Sequence, residues 1–381
     1  MMERLDLRGG AVLLPGLGLQ PAALAIAGER IAALGGSQGG RRLDASGLWV
    51  LPGIVDLHGD AFERQLQPRP GVAFPEPLAL ADTEAQLLAN GITTAFHGVT
   101  LSWEPGLRSA ATWRALRDAL AAHPGVCDMR IHLRWEAYNL DALEMAEADI
   151  AAGRVQLVAF NDHTPAILAK LDDPAAAAKY SERAGMRADA FRALAERIGA
   201  RADLVPAGRD RIAAAARAAG VPMASHDDAT VAERDAFRAL GARICEFPMA
   251  EAVGQAARAA GDFVAMGSPN VVRGRSHLGW ASAARLAEAG VCSVLTSDYF
   301  YPAMLRAALI LAGRGVLGLE QAWALISATP AAAAGLADRG TIAPGKRADL
   351  VIVDPARPAV VATVVAGRIA FLGAEGFSRL A

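Results

Sequence analysis

Short apolar runs alternate with longer stretches whose apolar residues recur every three or four positions. Runs at Ile54–His58, Ile92–His97, Arg130–Trp135, Gln156–Asn161, Pro222–His226, Arg243–Phe247, Phe263–Met266 and Cys292–Ser297 read as strands. Between them, Thr112–Ala121, Asp189–Gly199, Arg209–Ala219, Ala232–Leu240 and Ala281–Ala289 carry helical spacing. Repeated βα units in this number predict an α/β fold, a (β/α)8 TIM-type barrel rather than an open sheet. Chemistry in such barrels sits at the C-terminal ends of the strands.

The two ends of the chain show a different pattern. Ala25–Gly35 echoes Val364–Gly373: each is an apolar strand, a Gly-containing turn and a second strand, the signature of a β-hairpin. Both termini are therefore expected to build one small β-sandwich, from residues 1–50 and 340–381, around a barrel spanning 51–339.

Composition narrows the function classes. With 381 residues, 53% of them hydrophobic, a large core is available, and a net charge of -2 excludes a general binder of nucleic acid or membrane surfaces. Cys127, Cys245 and Cys292 are widely spaced, which gives no disulfide framework and suits a reducing cytoplasm. The apolar stretch Ala11–Ala27 is interrupted by Pro15 and preceded by Glu3 and Asp6, unlike a secretory leader. No run reaches the roughly 18 uninterrupted apolar residues of a membrane span. The expectation is a soluble cytoplasmic protein acting on a small molecule, with a homo-oligomer left open.

The polar residues fall where barrel chemistry is expected. The first strand ends in His58-Gly59-Asp60, and residues two apart on a strand face the same way, so imidazole and carboxylate can share one divalent ion such as Zn, Mn or Fe. The third strand alternates His132, Arg134 and Glu136 on one face, and buried polar residues need partners or a ligand. The fourth ends in Asn161-Asp162-His163, the fifth in His226-Asp227-Asp228, the eighth in Ser297-Asp298. Asp228 suits a cap for the next helix. His97 reads as structural and His123, before Pro124-Gly125, as a solvent-exposed loop residue. Three imidazoles and three carboxylates converging on strand tips point to a metal site.

Two loops look suited to anions. Gly267–His277 is read as a Gly-rich loop after the seventh strand, whose Arg273 and Arg275 with free backbone N–H groups match phosphate oxygens. Arg69, in the loop after the first strand, offers the same chemistry.

These residues together resemble the amidohydrolase superfamily, and within it the phosphonate-metabolism hydrolases called PhnM. The resemblance rests on Leu-Pro-Gly-Ile-Val-Asp-Leu-His at 51–58, Pro-Arg-Pro-Gly at 68–71, Gly-Ile-Thr-Thr at 91–94 and Asp-His-Thr-Pro at 162–165. It continues with Ala-Ser-His-Asp-Asp-Ala-Thr at 224–230, Glu-Phe-Pro at 246–248, Pro-Asn-Val-Val-Arg-Gly at 269–274 and Ser-Asp-Tyr at 297–299. The tail from Gly340 to Asp354 resembles the return from barrel to sandwich in the same superfamily.

The resemblance implies a metal-dependent hydrolase that removes pyrophosphate from α-D-ribose 1-methylphosphonate 5-triphosphate. It implies one or two divalent ions, zinc first, held by His58, Asp60, Glu136, His163, His226 and Asp298. Glu136 would bridge and Asp298 would be the general base. Glu246 stands where many members place a histidine, so either it or His163 completes the ligand set. Substrate contacts would come from Arg69, Arg134, Lys170 and Asp227, and from Asn270, Arg273 and Arg275.

Three departures stand out. Gly59 replaces the usual Thr, a change expected to alter pocket shape. Ala166–Lys170 replaces Gly-Gln-Arg-Gln-Phe and loses an arginine. Arg275 replaces a second Gly. The alternative implied by the wider superfamily is an amidohydrolase or deaminase acting on a cyclic amide or N-acyl compound.

Overall fold

The computed structural model describes residues 4–37, 39–69, 71–275 and 279–381. Seven N-terminal strands come first: β1 Arg4–Arg8, β2 Ala11–Leu14, β3 Gly18–Pro21, β4 Leu24–Ala27, β5 Arg30–Leu34, β6 Arg41–Asp44 and β7 Trp49–Pro52. The barrel follows, with β8 Ile54–Gly59, β9 Ile92–Leu101, β10 Asp128–Glu136, β11 Leu157–Asn161, β12 Met223–His226, β13 Ile244–Glu246, β14 Phe263–Gly267 and β15 Val294–Thr296. Strands β16 Leu350–Asp354, β17 Ala359–Val365 and β18 Arg368–Leu372 close the chain.

Strands β8 to β15 pair in sequence order, all parallel, with helices between them. The eight apolar runs of the sequence are these eight strands. Val55, Leu57, Phe96, Leu157, Ala159, Ala224, Ile244, Ala265 and Val294 pack together inside the barrel. Closure falls between β15 and β8. There the Asp298 N–H donates to the His58 carbonyl at 2.9 Å, and the Asp60 N–H to the Asp298 carbonyl at 2.9 Å. Below these bonds the buried Asp56 carboxylate accepts from the Ser297 N–H (2.9 Å) and hydroxyl (2.5 Å). Burial pushes Asp56 up to about 6, against the lowering effect of those bonds. Asp56→Ala is expected to orphan the Ser297 donors and cost roughly 1–3 kcal/mol for each unsatisfied group. Thermal unfolding reads this, and an unchanged melting temperature would show that the seam is held elsewhere.

Gly59 sits in this seam. A Cβ there would lie 2.8 Å from Asp56 Oδ2 and 2.9 Å from Ser297 Oγ. The absent side chain therefore makes room for the staple between first and last strands, and does not shape the pocket as the sequence suggested.

The terminal strands form two sheets, ordered β5-β4-β1-β6 and β18-β17-β16-β7-β2-β3. Leu7, Ile26 and Leu43 from the first pack with Val50, Ile352 and Val364 from the second in one core. The two echoing hairpins are β4–β5 and β17–β18, one in each sheet. Their turns touch, because Gly367 stands directly against the Gly28 carbonyl. A β-sandwich built from both termini thus accompanies the barrel. No described helix is long and apolar enough to cross a membrane.

Candidate metal centre and substrate cleft

Strand β10 carries the alternation the sequence predicted. Ile131, Leu133 and Trp135 pack against surrounding helices, which leaves His132, Arg134 and Glu136 on the other face. Deepest is His132, whose Nδ1 donates to the Leu57 carbonyl at 3.0 Å. One step up, the Arg134 guanidinium bonds Asp60 Oδ2 at 3.0 Å and His226 Nε2 at 3.1 Å. At the tip, Glu136 accepts from the Thr164 hydroxyl (2.7 Å) and from the N–H groups of Thr164 and His163 (3.2 Å each). Glu136, expected as a bridging ligand, thereby fixes the start of the helix at Thr164–Leu168.

The strongest convergence is on Glu246, at the end of β13. Its Oε2 lies 3.1 Å from His58 Nδ1, 3.3 Å from His226 Nδ1 and 3.8 Å from His132 Nε2. His58, His132 and Glu246 are buried and His226 is partly so. Burial holds His58 down to about 3, helped by nearby Arg134, and His132 to about 3; burial also drives His226 well below the ordinary range. These imidazoles are neutral, the state a metal ligand requires. Desolvation raises Glu246 to about 7. Asp298 is raised to about 7 as well, chiefly by burial and then by the charge of Asp60.

Among the described residues, three non-glycine residues just beyond barrel strand ends adopt left-handed backbone: Asp227 (φ 60°), Phe247 (φ 51°) and Asp298 (φ 55°). Such conformations cost about 1–3 kcal/mol and persist only where the surroundings enforce them, often at functional sites. Here they turn Asp227 and Asp298 into the mouth of the barrel and set the Phe247 ring edge-on to His58 and His226, at 5.0 and 5.2 Å.

Among the described residues, two groups of side chains have donor atoms within 4.8 Å of one another, His58–His226–Glu246 and His163–His226–Asp227. Neutral imidazoles with carboxylates fit a divalent ion of the zinc, manganese or iron type. His226 belongs to both groups. Asp60 and Asp298 line the cleft above them but belong to neither.

That cleft, about 760 Å³ of empty volume, has Asp60, Arg134, Asp227 and Asp298 on its floor and Arg273 and Arg275 on its wall. Phe247, Pro248, Met266 and Trp280 supply apolar surface. His163 borders a neighbouring cleft that shares His226 and Asp227.

Several expectations are corrected. Arg69 and Lys170 are exposed and do not line the cleft. Arg69 belongs to a turn that bridges to Val72, and Lys170 follows the helix that Glu136 anchors. The Gly-rich loop is a helix over Ser268–Arg273, with Pro269 in its first turn and Gly274 (φ 76°) ending it in left-handed conformation. The helix commits the N–H groups of its C-terminal end, Gly274 donating to the Val271 carbonyl at 3.2 Å, and Arg273 and Arg275 line the cleft. Ser276 and His277, at the end of that stretch, lie outside the described residues. Asn270 lines the cleft as expected, and its amide also holds the returning chain through the Ala281 carbonyl and the Ala283 N–H. His123 is paired to Glu84 at 2.9 Å with a side chain only 9% exposed. Asp228 does not cap the next helix, since Thr230 and Glu233 form that capping box; it accepts from Ser225 at 2.5 Å instead. His97 is buried in contact with Phe62, as a structural residue would be. Phe247 was not singled out from the sequence, and only its place beside Glu246 hinted at it.

A metal-capable cluster at the C-terminal mouth of a β/α barrel that carries a two-ended β-sandwich defines a class. The chain belongs to the amidohydrolase family, which it matches over residues 49–371, and it is a hydrolase. It is 33% identical over 318 residues to alpha-D-ribose 1-methylphosphonate 5-triphosphate diphosphatase of Escherichia coli (strain K12), with 81% of this chain and 84% of that one covered. A 65-residue stretch is 48% identical to an adenine deaminase of Methylobacterium sp. (strain 4-46), covering 17% of this chain and 11% of that one. The fold is shared with molinate hydrolase (TM-score 0.65, 15% identity, 97% and 94% coverage). It is also shared with a β-aspartyl dipeptidase of Fervidobacterium islandicum AW-1 (TM-score 0.66, 13% identity, 98% and 97% coverage).

Proposed function

We propose that this hydrolase is metal-dependent and cleaves a phosphoric anhydride, releasing pyrophosphate from a ribose-linked 5-triphosphate of the kind its Escherichia coli relative is named for. What carries the reading is one cleft that combines a carboxylate–imidazole floor with three guanidinium groups, Arg134, Arg273 and Arg275. The 33% identity to the diphosphatase supports it. The barrel is the catalytic unit, and three buried free thiols suit a cytoplasmic setting.

His58, His163 and His226 would hold one or two divalent ions, zinc first, with Asp60, Asp227 and Asp298 supplying carboxylates. Such an ion lowers the pKa of bound water and so provides hydroxide at neutral pH. Asp298, whose carboxyl burial raises to about 7, would serve as the group that accepts a proton at the mouth and gives it up to a leaving group. Arg134 holds Asp60 and His226 in register. Arg273 and Arg275 lie along the wall, where they offset the charge of a polyphosphate.

Incubation with ribose and nucleoside triphosphates, and separately with cyclic amides, tests the reading; pyrophosphate release from a ribose triphosphate is expected. Arg273→Ala and Arg275→Ala should each lower kcat/KM for that substrate about tenfold or more, the loss of a charge-assisted contact of roughly 1.5–3 kcal/mol. A second reading, hydrolysis of a carbon–nitrogen bond, is favoured by the apolar wall of Phe247, Met266 and Trp280 and by the outward Arg69 and Lys170. Turnover of an uncharged amide that is indifferent to both arginines, without triphosphate cleavage, would establish that reading in place of the first.

A further inference from the structure

Glu246 lies within reach of three imidazoles, and the hydrogen bonds of His226 settle which of its nitrogens carries the proton. A guanidinium can only donate, so the Arg134 bond to His226 Nε2 leaves that nitrogen as an acceptor. The proton of neutral His226 is therefore on Nδ1, and it points at Glu246 Oε2, 3.3 Å away. His58 offers its Nδ1 to the same oxygen at 3.1 Å. The two rings are nearly parallel, 16° apart with centroids at 5.2 Å, and the Phe247 ring meets both edge-on. One carboxylate oxygen and one aromatic ring, from consecutive residues, thus clamp the pair. The Nε2 lone pairs are left facing away from Glu246. For His226 that is toward Arg134 and Asp227.

We infer that Glu246 is a positioning residue rather than a metal ligand: it holds Nδ1 of both His58 and His226, so that Nε2 is the nitrogen each ring has left for an ion, at His226 in exchange for the Arg134 bond. This rests on the metal-dependent reading above. A histidine ligand commonly donates its other ring N–H to a carboxylate, which fixes the tautomer and raises ligand basicity. In this chain a single buried carboxylate does so for two histidines on separate strands.

The test is metal binding and tautomer state, with no substrate present. Glu246→Gln keeps the shape but lacks the charge, and Glu246→Asp keeps the charge on a shorter arm. Glu246→Gln is expected to bind zinc about 10- to 100-fold more weakly by chelator competition, with the same number of ligands by X-ray absorption. Glu246→Asp should recover part of the loss. In the metal-free wild type, 15N shifts of labelled histidines should report Nδ1–H for His58 and His226, a signature lost in Glu246→Gln. Loss of one oxygen ligand from the absorption spectrum would make Glu246 a ligand and overturn the inference. Unchanged affinity, or Nε2–H tautomers in the wild type, would overturn it too. Wild-type protein that takes up no divalent ion would end the metal reading and this inference together; wild-type uptake with an indifferent Glu246→Gln would end this inference alone.

Discussion

His226→Ala is expected to lose bound metal and turnover together, with activity falling by roughly a thousandfold or more, about 4 kcal/mol of transition-state stabilisation. Its imidazole belongs to both candidate ligand groups and links Glu246 to Arg134. Its loss would leave His58 and Glu246 in one group and His163 and Asp227 in the other, each one donor short. Metal content per chain, measured beside kcat, checks the result. A folded variant with full metal and full turnover would refute the assignment of His226 as a ligand.

Asp298→Asn is expected to separate chemistry from architecture. The seam is closed by the backbone of residue 298, through its N–H to His58 and its carbonyl to Asp60, and these bonds do not need the carboxylate. Asparagine also tolerates the left-handed conformation at this position. The fold should therefore persist while the proposed proton acceptor is gone. A fall in kcat of about 10²- to 10⁴-fold is expected for loss of a general base. Unfolding temperature should move little. A variant that keeps more than a tenth of wild-type kcat would remove Asp298 from the proton-transfer role.

The barrel was legible because its strands are apolar runs bounded by turns, and that pattern is local. All eight fall at the expected places, with ends shifted by a few residues. The terminal hairpins were legible for the same reason, and so was the alternation of His132, Arg134 and Glu136. Misreadings arose where the fate of a side chain depends on distant residues. The helix at Ser268–Arg273 was taken for a loop because its glycines outweighed Pro269, the one local sign of a helix start. Lys170 was counted among the substrate contacts from the resemblance, in the segment that replaces the family's Gly-Gln-Arg-Gln-Phe. It faces outward, because Glu136, from another strand, anchors the intervening helix.

By itself, then, the sequence determined the barrel, the paired terminal hairpins and the set of strand tips that carry imidazoles and carboxylates, since each follows from short-range periodicity. Only the tertiary structure decided how those tips divide their work. Closing the barrel brings β8, β10, β12 and β13 around one point, so a glutamate in a three-residue strand becomes the acceptor for histidines 188 and 20 positions away. In a dry interior each buried donor must find an acceptor, and which one it finds is fixed by the strand register and tilt that closure imposes.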